Sequence, residues 1–531
     1  MNKVAKYINQ YITGAAYSTP SVLDAYSTDR SILHITPKIV AVPASTADIR
    51  KIINFSYQLA AKKIELPVTV RGSGTTKTGA SIGSGILVSL EKMNKVEEID
   101  PHQRLVRLQT GVRLDVLQNT LALYGLYFPY EGPAGTTISD LISENIILNR
   151  SVNPGQSILD YILQAEVVLS NGDAIHVEAL NMRQYEQKKL GNSFEAKLYG
   201  KVASILKKED ETIKTLPDFK TNRAGYNGAK KLISKNKINL LPLFIGAENT
   251  LGVVTEIILR CELLADAPQY CAIVCPDINT VKNYSKVLLG LAPIALDFYD
   301  LRILNEAESF GKKLNLWPKT PEDGFLIVAK YGDQNILRRN QKIKHIKKNL
   351  PSTAKIYLSD AQNYHDFQEL NAIISTYCNN AGSANRLPIL DDVYVPNTNL
   401  QNFMEDLAKL CKASKIELLP YGSLLHENYN VRPKIKLSDN ADRKRALILM
   451  KEYAKIINNR GGNLAGGSAE GRLKAIFCNP YTSRRHFELY DRIQRDFDPR
   501  NIMNPGVKHN ATPRSVVREL RSSYNLGIVE K

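Results

Sequence analysis

The sequence lacks the features that mark several large classes of protein. No apolar run approaches the roughly 18 residues that a membrane-spanning helix needs, and the stretch with least charge, 288–295, is short and contains Pro293. Residues 1–20 contain no compact apolar segment, so we expect a short helix there, no signal peptide, and a cytoplasmic protein. The six cysteines are scattered without a C-x-x-C pair, which argues against a zinc ribbon or a disulfide framework.

Signatures of nucleotide and nucleic-acid binding are also missing. No stretch completes G-x-G-x-x-G, and none has the phosphate-binding pattern G-x-x-x-x-G-K-[ST]. The net charge is +17, but the lysines are spread along the chain, and no recognition helix or zinc finger accompanies them. We therefore expect no nucleic-acid partner.

The basic tail predicts a short amphipathic helix. Thr512 is a suitable N-cap with Pro513 at the first helical position, and Val516, Val517 and Leu520 would share one face. Such a helix either packs on its own protein or lies on a membrane surface. Peripheral contact with the inner face of a membrane is therefore one expectation for this chain.

What the sequence does contain is an alternation of helix and strand signals over 531 residues, a length that predicts two or three domains. Residues 45–48 fit a capping box before an apolar helical stripe. Short apolar runs at 67–70 and 86–90 flank a loop with two glycines. Beyond about Leu264, strands alternate with helices rich in lysine and asparagine, which predicts a second domain and the α+β class.

The loop at 71–76 has the composition of an anion-binding turn. Gly72 and Gly74 permit positive φ angles, and without a Cβ they let a phosphate approach the backbone N–H groups. The other four residues add hydroxyl donors and one positive charge: Arg71, Ser73, Thr75 and Thr76. Taken alone, a Gly-x-Gly loop more often marks an ordinary hairpin, so its context decides.

Further stretches in a fixed order resemble the vanillyl-alcohol oxidase / p-cresol methylhydroxylase superfamily of FAD-linked oxidases. They span nearly the whole chain: 67–76, 85–96, 133–138, 155–172, 222–226, 245–256 and 497–506. Within the superfamily the chain is most similar to the branch of D-lactate dehydrogenase and glycolate oxidase. The resemblance implies a two-subdomain FAD-binding domain of the PCMH type over 1–264, an α+β cap domain with an antiparallel sheet over 265–485, and a C-terminal segment, 486–531, that returns to the FAD domain.

The same resemblance implies which residues hold FAD. They are Arg71, Gly72, Ser73, Gly74, Thr75, Thr76, Thr137, Ile138, Asp160, Val253, Val254 and Asn504. The loop would hold the pyrophosphate, the Thr137 segment would lie beside flavin and pyrophosphate, the two valines would fix the adenine or ring edge, and the asparagine would lie near the isoalloxazine. No histidine occupies the loop or the Thr137 segment, so we expect non-covalent FAD.

The substrate side departs from the pattern of this branch. Its members build the substrate site from two histidines in a G-H-x-G-x-G-N-L-H stretch and from a later G-E-H-G-x-G, which bind a divalent metal or the carboxylate and supply the base. Residues 422–433 and 461–472 align with these stretches. The four ligand positions carry other residues: Ser423, Asn430, Gly467 and Ser468. Serine, asparagine and glycine cannot replace imidazole for such a metal, so we predict no metal site.

His426 and Arg432 remain as the candidate catalytic residues. His426 would serve as a shifted general base or else be a structural side chain. Arg432 would bind an anionic substrate bidentately or pair with a neighbouring acid. Near the flavin, Ser139 and Asp140 replace two glycines, and isoleucines replace small residues at 146–147. Asp140 would disfavour the anionic reduced ring unless it points away.

Two hypotheses about function follow. In the first, the protein is an FAD-dependent dehydrogenase or oxidase that takes a hydride from a hydroxy-acid-like or other alcohol substrate onto flavin N5. Electrons would then leave to a quinone, an electron-transfer flavoprotein or oxygen. The lost histidines make a sugar or polyol an alternative to a metal-bound 2-hydroxy acid. In the second hypothesis, the protein is a catalytically degenerate flavin-binding subunit or scaffold.

Overall fold

The structure is a computed structural model that describes residues 3–133, 135–151, 153, 155–264, 268–310, 313–314, 316, 323–333, 335–380 and 386–524. Ala134, which belongs to one of the matched stretches, and the start of the predicted cap domain at 265 lie outside these ranges. The described residues form a mixture of helices and largely antiparallel sheets, which confirms the α+β class.

The first part of the chain supplies two larger sheets, a small three-stranded sheet and a short strand pair. Its strands are β1 (Ala15–Tyr17), β2 (Ile39–Val42), β3 (Val68–Arg71), β4 (Ile86–Ser89), β5 (Val96–Asp100), β6 (Leu105–Gln109), β7 (Leu126–Tyr127), β8 (Ile162–Val168), β9 (Ala174–Glu178), β10 (Leu180–Asn181), β11 (Ile233–Ser234), β12 (Lys237–Ile238), β13 (Val253–Arg260) and β14 (Glu262–Leu263). The small sheet has the order β10-β12-β11, and the short pair is that of β7 with β14. Its helices are α1 (Lys3–Tyr11), α2 (Pro20–Ala25), α3 (Thr46–Ala61), α4 (Leu114–Ala122), α5 (Ile138–Glu144), α6 (Met182–Lys188), α7 (Phe194–Lys208), α8 (Asp210–Thr215) and α9 (Leu241–Phe244).

The glycine loop belongs to the first sheet, whose strand order is β1-β2-β4-β3. Strand β4 pairs in parallel with both β2 and β3. Because parallel neighbours need a crossover connection, residues 72–85 do not form a hairpin. Helix α3 packs on this sheet, and its N-cap is Ser45, whose side chain accepts the Asp48 N–H, as the capping-box pattern predicts.

The second sheet, β5-β6-β13-β8-β9, is antiparallel throughout. Its central strand β13 begins with Val253 and Val254, which are opposite Val168 and Val167 of β8. Helices α4, α5 and α7 contribute to its apolar core. This core places the start of α5 next to the glycine loop.

The later part of the chain builds one seven-stranded sheet, which we call the cap sheet. Its order is β18-β15-β17-β16-β20-β21-β19, and every pair is antiparallel. The strands are β15 (Gln269–Cys275), β16 (Ala295–Asp300), β17 (Phe325–Tyr331), β18 (Ile356–Leu358), β19 (Leu390–Tyr394), β20 (Leu418–Ser423) and β21 (Asn428–Pro433). The expected antiparallel cap sheet is therefore confirmed.

The remaining helices cover both faces of the cap sheet and continue to the C-terminus. They are α10 (Ile278–Leu289), α11 (Leu301–Phe310), α12 (Ile336–Asn349), α13 (Tyr364–Asn380), α14 (Leu400–Ser414), α15 (Asn440–Asn459), α16 (Ala475–Cys478), α17 (Arg484–Phe497) and α18 (Pro513–Arg518). Helices α10, α14 and α15 share one apolar core, and α11 and α13 share another.

After α17 the chain runs back to the first sheet. The Val68 N–H donates to the Ile502 carbonyl over 2.7 Å, and the Asn504 N–H donates to the Val68 carbonyl over 2.8 Å. Helix α18 buries Val516, and Arg521 donates to the Leu33 carbonyl. The basic tail thus packs on its own protein over the residues described. Within those residues, no helix has the length and apolarity to cross a membrane.

Candidate functional site

The glycine loop lies against the start of α5. Gly74 has a φ of +79°, a conformation that glycine adopts without strain. A Cβ on Gly72 would lie 2.2 Å from Thr137 Oγ1, so only a residue without a side chain fits there. The structure therefore brings together two of the predicted segments, 71–76 and Thr137.

Four hydrogen-bond donors from these segments converge on one oxygen, Oδ2 of Asp140. Ser73 donates its N–H over 3.0 Å and its hydroxyl over 2.6 Å. Thr137 donates its N–H over 2.9 Å and its hydroxyl over 2.7 Å. Such a set of converging donors fits an oxyanion. We call these four donors the cradle. The carboxylate of Asp140 points into the cradle.

Arg71 fills the other side of the loop. Its Nη1 donates to the Thr28 carbonyl over 2.7 Å, and its guanidinium lies 5.5 Å from the centre of the Tyr26 ring. A Cβ on Gly74 would lie 2.2 Å from Arg71 Nη2. Burial lowers the pKa of Arg71, while the negative charges of Asp29 and Asp140 oppose that shift. The arginine thus balances the charge in the cradle.

The other loop and strand residues predicted to bind a cofactor make contacts within the protein. Thr76 Oγ1 lies 3.0 Å from Thr78 Oγ1, and Thr75 Oγ1 lies 3.2 Å from Ser73 Oγ. The Val254 carbonyl accepts from Thr110 Oγ1 over 2.8 Å, and Val253 is paired within the sheet. Ile138 is buried in the first turn of α5.

Asn504 lies beneath the loop in a buried network. Its amide group donates to the carbonyls of Ala80 and Glu248 over 2.8 and 2.9 Å. Its side-chain oxygen accepts from Thr69 Oγ1 and Arg472 Nη2, each over 3.1 Å. In this arrangement Asn504 joins the C-terminal segment to the base of the glycine loop.

Asp160 lies apart from the cradle. It caps a short 3-10 turn, where its carboxylate accepts the Ser157 N–H over 2.8 Å. It also lines a separate cavity of about 480 Å³ with Arg104, Tyr161 and Glu262. The structure does not bring Asp160 together with the glycine loop.

A second cavity, of about 130 Å³, lies between the residues that follow α5 and strands β16, β19, β20 and β21 of the cap sheet. We call it the inner cavity. It is lined by Tyr130, Ile146, Ile147, Asn149, Arg150, Asp297, Tyr299, Asp392, Tyr421, Gly422, Ser423, His426, Asn428 and Asn430. It therefore contains His426 and two of the four altered ligand positions.

His426 is only 4% exposed and is a neutral imidazole. Burial, together with the positive charges of Arg150 and Arg223, lowers its pKa to about 3. Its Nδ1 accepts the Gly155 N–H over 3.3 Å, so the proton of the neutral ring is on Nε2. Nε2 is buried and has no hydrogen-bond partner among the residues that the structure describes. It is thus an unpartnered donor, within the described residues, on a side chain that lines the inner cavity.

The cation in the inner cavity, Arg150, is paired with carboxylates. Its Nε lies 2.7 Å from Glu131 Oε2 and its Nη1 lies 3.2 Å from Asp297 Oδ2. Although burial acts in the opposite direction, Arg150 and Lys330 lower the pKa of Glu131 to about 2. The positive charge of Arg150 is therefore offset inside the protein.

Arg432 pairs with a neighbouring acid, the second of the two alternatives for this residue. Its Nη2 lies 2.8 Å from Asp391 Oδ2, and its Nε donates to the Tyr421 hydroxyl over 3.1 Å.

The same carboxylate, that of Asp391, also belongs to an ion-pair cluster around Lys77. Lys77 Nζ lies 3.0 Å from Asp391 and 3.1 Å from Asp392. Although burial opposes ionisation, Lys77 and Lys474 lower the pKa of Asp392. This cluster ties the glycine loop segment to the cap sheet.

The four altered ligand positions make local contacts. The Asn430 side-chain oxygen accepts the Asp392 N–H over 3.1 Å, and Ser423 Oγ accepts the His426 N–H over 3.4 Å. A Cβ on Gly467 would lie 2.5 Å from the Asn428 amide. Within the ranges that the structure describes, no group of three His, Cys, Asp or Glu side chains is arranged to hold a metal.

Several of the matched stretches meet at one buried ammonium, that of Lys508. Its Nζ donates to the Gly246 carbonyl over 2.9 Å and lies 3.1 Å from Glu470 Oε2 and 3.6 Å from Glu248 Oε2. Glu470 also accepts the Gly225 N–H over 2.7 Å. The stretches at 222–226, 245–256 and 461–472 are thus held together by the C-terminal segment.

Sequence reasoning missed the contact of Asp140 with Ser73 and the place of Arg150 in the inner cavity. For Asp140 a signal exists, because Thr137 and Asp140 have the spacing of a capping box, and both of its hydrogen bonds are present. The contact with Ser73 and the pairing of Arg150 with Asp297 join residues 67 and 147 positions apart. Local sequence patterns carry no signal for contacts of that kind.

Two family models match the chain. Residues 37–178 match "FAD binding domain", and residues 270–507 match "FAD linked oxidases, C-terminal domain". The first segment contains the cradle, and the second contains all of the cap-sheet side of the inner cavity.

Known proteins with similar sequences are dehydrogenases of hydroxy acids by name. A D-2-hydroxyglutarate dehydrogenase of Pseudomonas putida is 24% identical over 93% of this chain and 50% of its own length. A D-lactate dehydrogenase of Archaeoglobus fulgidus is 24% identical over 91% of this chain and 95% of its own. The chain thus spans about half the length of the first of these relatives.

A solved structure has the same fold. The 4-ethylphenol oxidase from Gulosibacter chungangensis, in complex with isoeugenol, superimposes with a TM-score of 0.67 at 14% identity, covering 94% of this chain and 95% of that one. At this identity the likeness concerns the architecture alone.

Proposed function

The chain belongs to the FAD-linked oxidases of the vanillyl-alcohol oxidase / p-cresol methylhydroxylase superfamily, in the branch of D-lactate dehydrogenase and glycolate oxidase, and from that premise we propose that it oxidises the CH–OH group of a small hydroxy acid or related alcohol. The observation that carries the proposal is the inner cavity, which is lined by a neutral His426 whose Nε2–H has no partner among the described residues. A cavity of about 130 Å³ suits a small substrate.

The residues of the loop fit the pyrophosphate of FAD. The four donors of the cradle already hold an oxyanion, the Asp140 carboxylate, at hydrogen-bonding distances. We propose that Arg71–Thr76 and Thr137 hold the pyrophosphate once this carboxylate turns away, with Ile138, Val253, Val254 and Asn504 shaping the surrounding walls. Asp160, which lines another cavity, would have a structural role and would not contact FAD.

Within the inner cavity the chain's own groups would orient the substrate and move one proton. Bound FAD supplies the acceptor for the hydride that leaves the CH–OH carbon. His426 would donate from Nε2 to a substrate oxygen, and it would not act as the general base, because its acceptor nitrogen, Nδ1, already accepts the Gly155 N–H. The ionised Asp392 carboxylate lines the same cavity and would accept the hydroxyl proton. Arg432 would position Tyr421.

The test is reduction of the bound FAD without oxygen. We expect D-lactate, glycolate, D-2-hydroxyglutarate or a polyol from the same panel to bleach the flavin absorbance within seconds. His426→Ala should slow this reduction at least about tenfold by removing a donor to the substrate, while the matched variant of the exposed His102, His102→Ala, should not change it. A fully loaded protein that none of these compounds reduces would contradict the proposal.

A second candidate is a flavin-binding subunit without its own oxidation chemistry. Serine, asparagine and glycine at 423, 430, 467 and 468 favour it, because they cannot bind a metal or act as the base. It predicts FAD bound at full occupancy and unchanged by every compound of the panel. The same experiment therefore separates the two candidates.

Three further properties belong to the proposal. FAD is held without a covalent bond, since residues 71–85 and 135–140 contain neither histidine nor cysteine. Acid precipitation should then release all of the flavin, and flavin remaining on the protein would contradict this.

Electrons would pass to a quinone or an electron-transfer flavoprotein, which stopped-flow reoxidation with each acceptor tests. Peripheral membrane contact would use the net positive charge of the chain, and flotation with anionic vesicles tests it.

A further inference from the structure

The Asp140 carboxylate occupies the position that an oxygen of a phosphate would take. All four donors of the cradle point at its Oδ2 at 2.6 to 3.0 Å. Asp140 is 8% exposed, so water does not replace these bonds. The donors come from two segments, Ser73 of the glycine loop and Thr137 before α5, which the carboxylate holds together.

A structural carboxylate elsewhere in the same part of the chain gives a standard for comparison. Asp48 has the same position in the first turn of α3 as Asp140 has in α5. Its carboxylate also accepts four hydrogen bonds, from Thr13 N–H and Oγ1, Gly14 N–H and Ala44 N–H, at 2.8 to 3.0 Å. Those partners lie away from the glycine loop. Asp48 thus provides ordinary helix and chain anchoring, whereas Asp140 makes its bonds with the loop.

The cradle has no room for a second anion while Asp140 is in place. A Cβ on Gly72 would lie 2.7 Å from Asp140 Oδ1, and one on Gly74 would lie 2.2 Å from Arg71 Nη2. The loop is therefore closed on both sides by side chains of the protein. Two anions that share the same N–H and O–H donors would also repel each other strongly at this low exposure.

We propose that the Asp140 carboxylate is a built-in competitor of the FAD pyrophosphate. It satisfies the cradle in the FAD-free protein and must turn away before FAD binds. The inference rests on the proposed function in one respect, that FAD is the ligand of this loop. Removing the carboxylate should therefore strengthen FAD binding, the opposite of what is expected of a residue that contacts a cofactor favourably.

The experiment measures ligand affinity in the full-length protein freed of flavin. Asp140→Gly removes the side chain, and Asp140→Asn keeps its size without its charge. Asp48→Asn is the matched control, since it alters a carboxylate with the same number of bonds. Each protein is titrated with three probes: FAD, ADP, which has the pyrophosphate without the flavin, and riboflavin, which has the flavin without phosphate.

We expect both Asp140 variants to bind FAD and ADP more tightly than the unaltered protein by at least about tenfold, and riboflavin within about twofold. Asp48→Asn should leave all three affinities unchanged. The thermal midpoint of each variant is measured alongside. If Asp140→Gly does not fold, Asp140→Asn, which keeps an oxygen to cap α5, decides the question.

Three outcomes would overturn the inference. Equal FAD affinity in the unaltered protein and the Asp140 variants overturns it and leaves the proposed function intact. A gain in riboflavin affinity as large as the gain for FAD also overturns it alone, because the effect would not come from phosphate. Absence of FAD binding in all of the proteins overturns the inference together with the proposed function.

Discussion

The cradle and the inner cavity are built from different kinds of chemical group. Two of the four cradle donors are backbone N–H groups, and the loop that carries the Ser73 N–H depends on glycines that have no side chain to change. The inner cavity relies on side chains, such as His426 from the turn between two cap-sheet strands and Arg150 from the segment that follows α5. A backbone site survives any substitution that keeps the turn, whereas a side-chain site changes with each residue. This explains why the resemblance to the family is closer at the loop than around residues 422–430.

The two regions also treat charge differently. The cradle gathers neutral donors around one anion, so it is suited to hold negative charge. In the inner cavity the cation Arg150 lies beside Glu131 and Asp297, and the nearby Lys77 lies beside Asp391 and Asp392. Because these cations are already paired with carboxylates of the protein, their main role is to stabilise the fold. The predictions below test that division.

The largest effect is expected from the structural cation of the inner cavity. Arg150→Ala should lower the free energy of unfolding by about 3–5 kcal/mol, because it removes the cation that neutralises the buried Asp297 carboxylate. Arg113→Ala removes an exposed ion pair with Asp115 and should change it by less than about 0.5 kcal/mol. Urea denaturation measures both. Similar values for the two variants would mean that Arg150 is free to bind substrate.

The next largest effect is expected at the glycine loop. Gly74→Val places a branched side chain at a φ of +79° and against the Arg71 guanidinium, so FAD should bind roughly a hundredfold more weakly, which corresponds to about 2.7 kcal/mol. Gly125→Val is the control, since Gly125 also has a positive φ but nothing lies within 4 Å of its Cβ position. Fluorescence titration with FAD gives both affinities. A loss of the same size in Gly125→Val would show that global strain is responsible.

The glycine loop and the pairing of Arg150 differ in how far they can be predicted from the sequence. The glycines, the α+β class and most strands were predictable, because turn-formers and apolar periods are local signals. The parallel pairing of β3 with β4 was not, since a short crossover and a hairpin have similar composition. The capping pattern of Thr137 and Asp140 indicated that the Asp140 carboxylate bonds to the Thr137 backbone at the start of α5. Its contact with Ser73 depends on how α5 packs on the loop. The partner of Arg150 depends on the approach of two segments 147 residues apart.

A smaller effect is expected from the imidazole of His426 as the pH falls. Unfolded, this group has a pKa near 6.5, and in the folded protein burial, with Arg150 and Arg223, lowers it to about 3. Above pH 6.5 the ring is neutral in both states and contributes no pH dependence. Between pH 6.5 and 3 the unfolded chain binds a proton that the folded protein does not, so stability falls with decreasing pH. At pH 5 the loss should be about 2 kcal/mol.

The measurement is the free energy of unfolding between pH 7 and 5 for the unaltered protein and for His426→Gln. The variant should remove most of this pH dependence, because glutamine does not titrate. His102→Gln changes an exposed histidine and should leave the slope as it is. An unchanged slope in His426→Gln would mean that the imidazole is solvated, and the inner cavity would then lose its main donor.

The smallest effect is expected from removing divalent metals. Serine, asparagine and glycine occupy the ligand positions at 423, 430, 467 and 468, and the part of the chain that the structure describes holds no other ligand cluster. Dialysis against EDTA should therefore shift the thermal midpoint by less than about 1 °C and leave flavin reduction unchanged. A stoichiometric metal, with activity lost on chelation and restored by zinc or manganese, would contradict this. The inner cavity would then be a metal site. Other side chains of this chain would have taken the place of the family's metal ligands, so the metal-binding property would be retained at the inner cavity as anion binding is at the cradle.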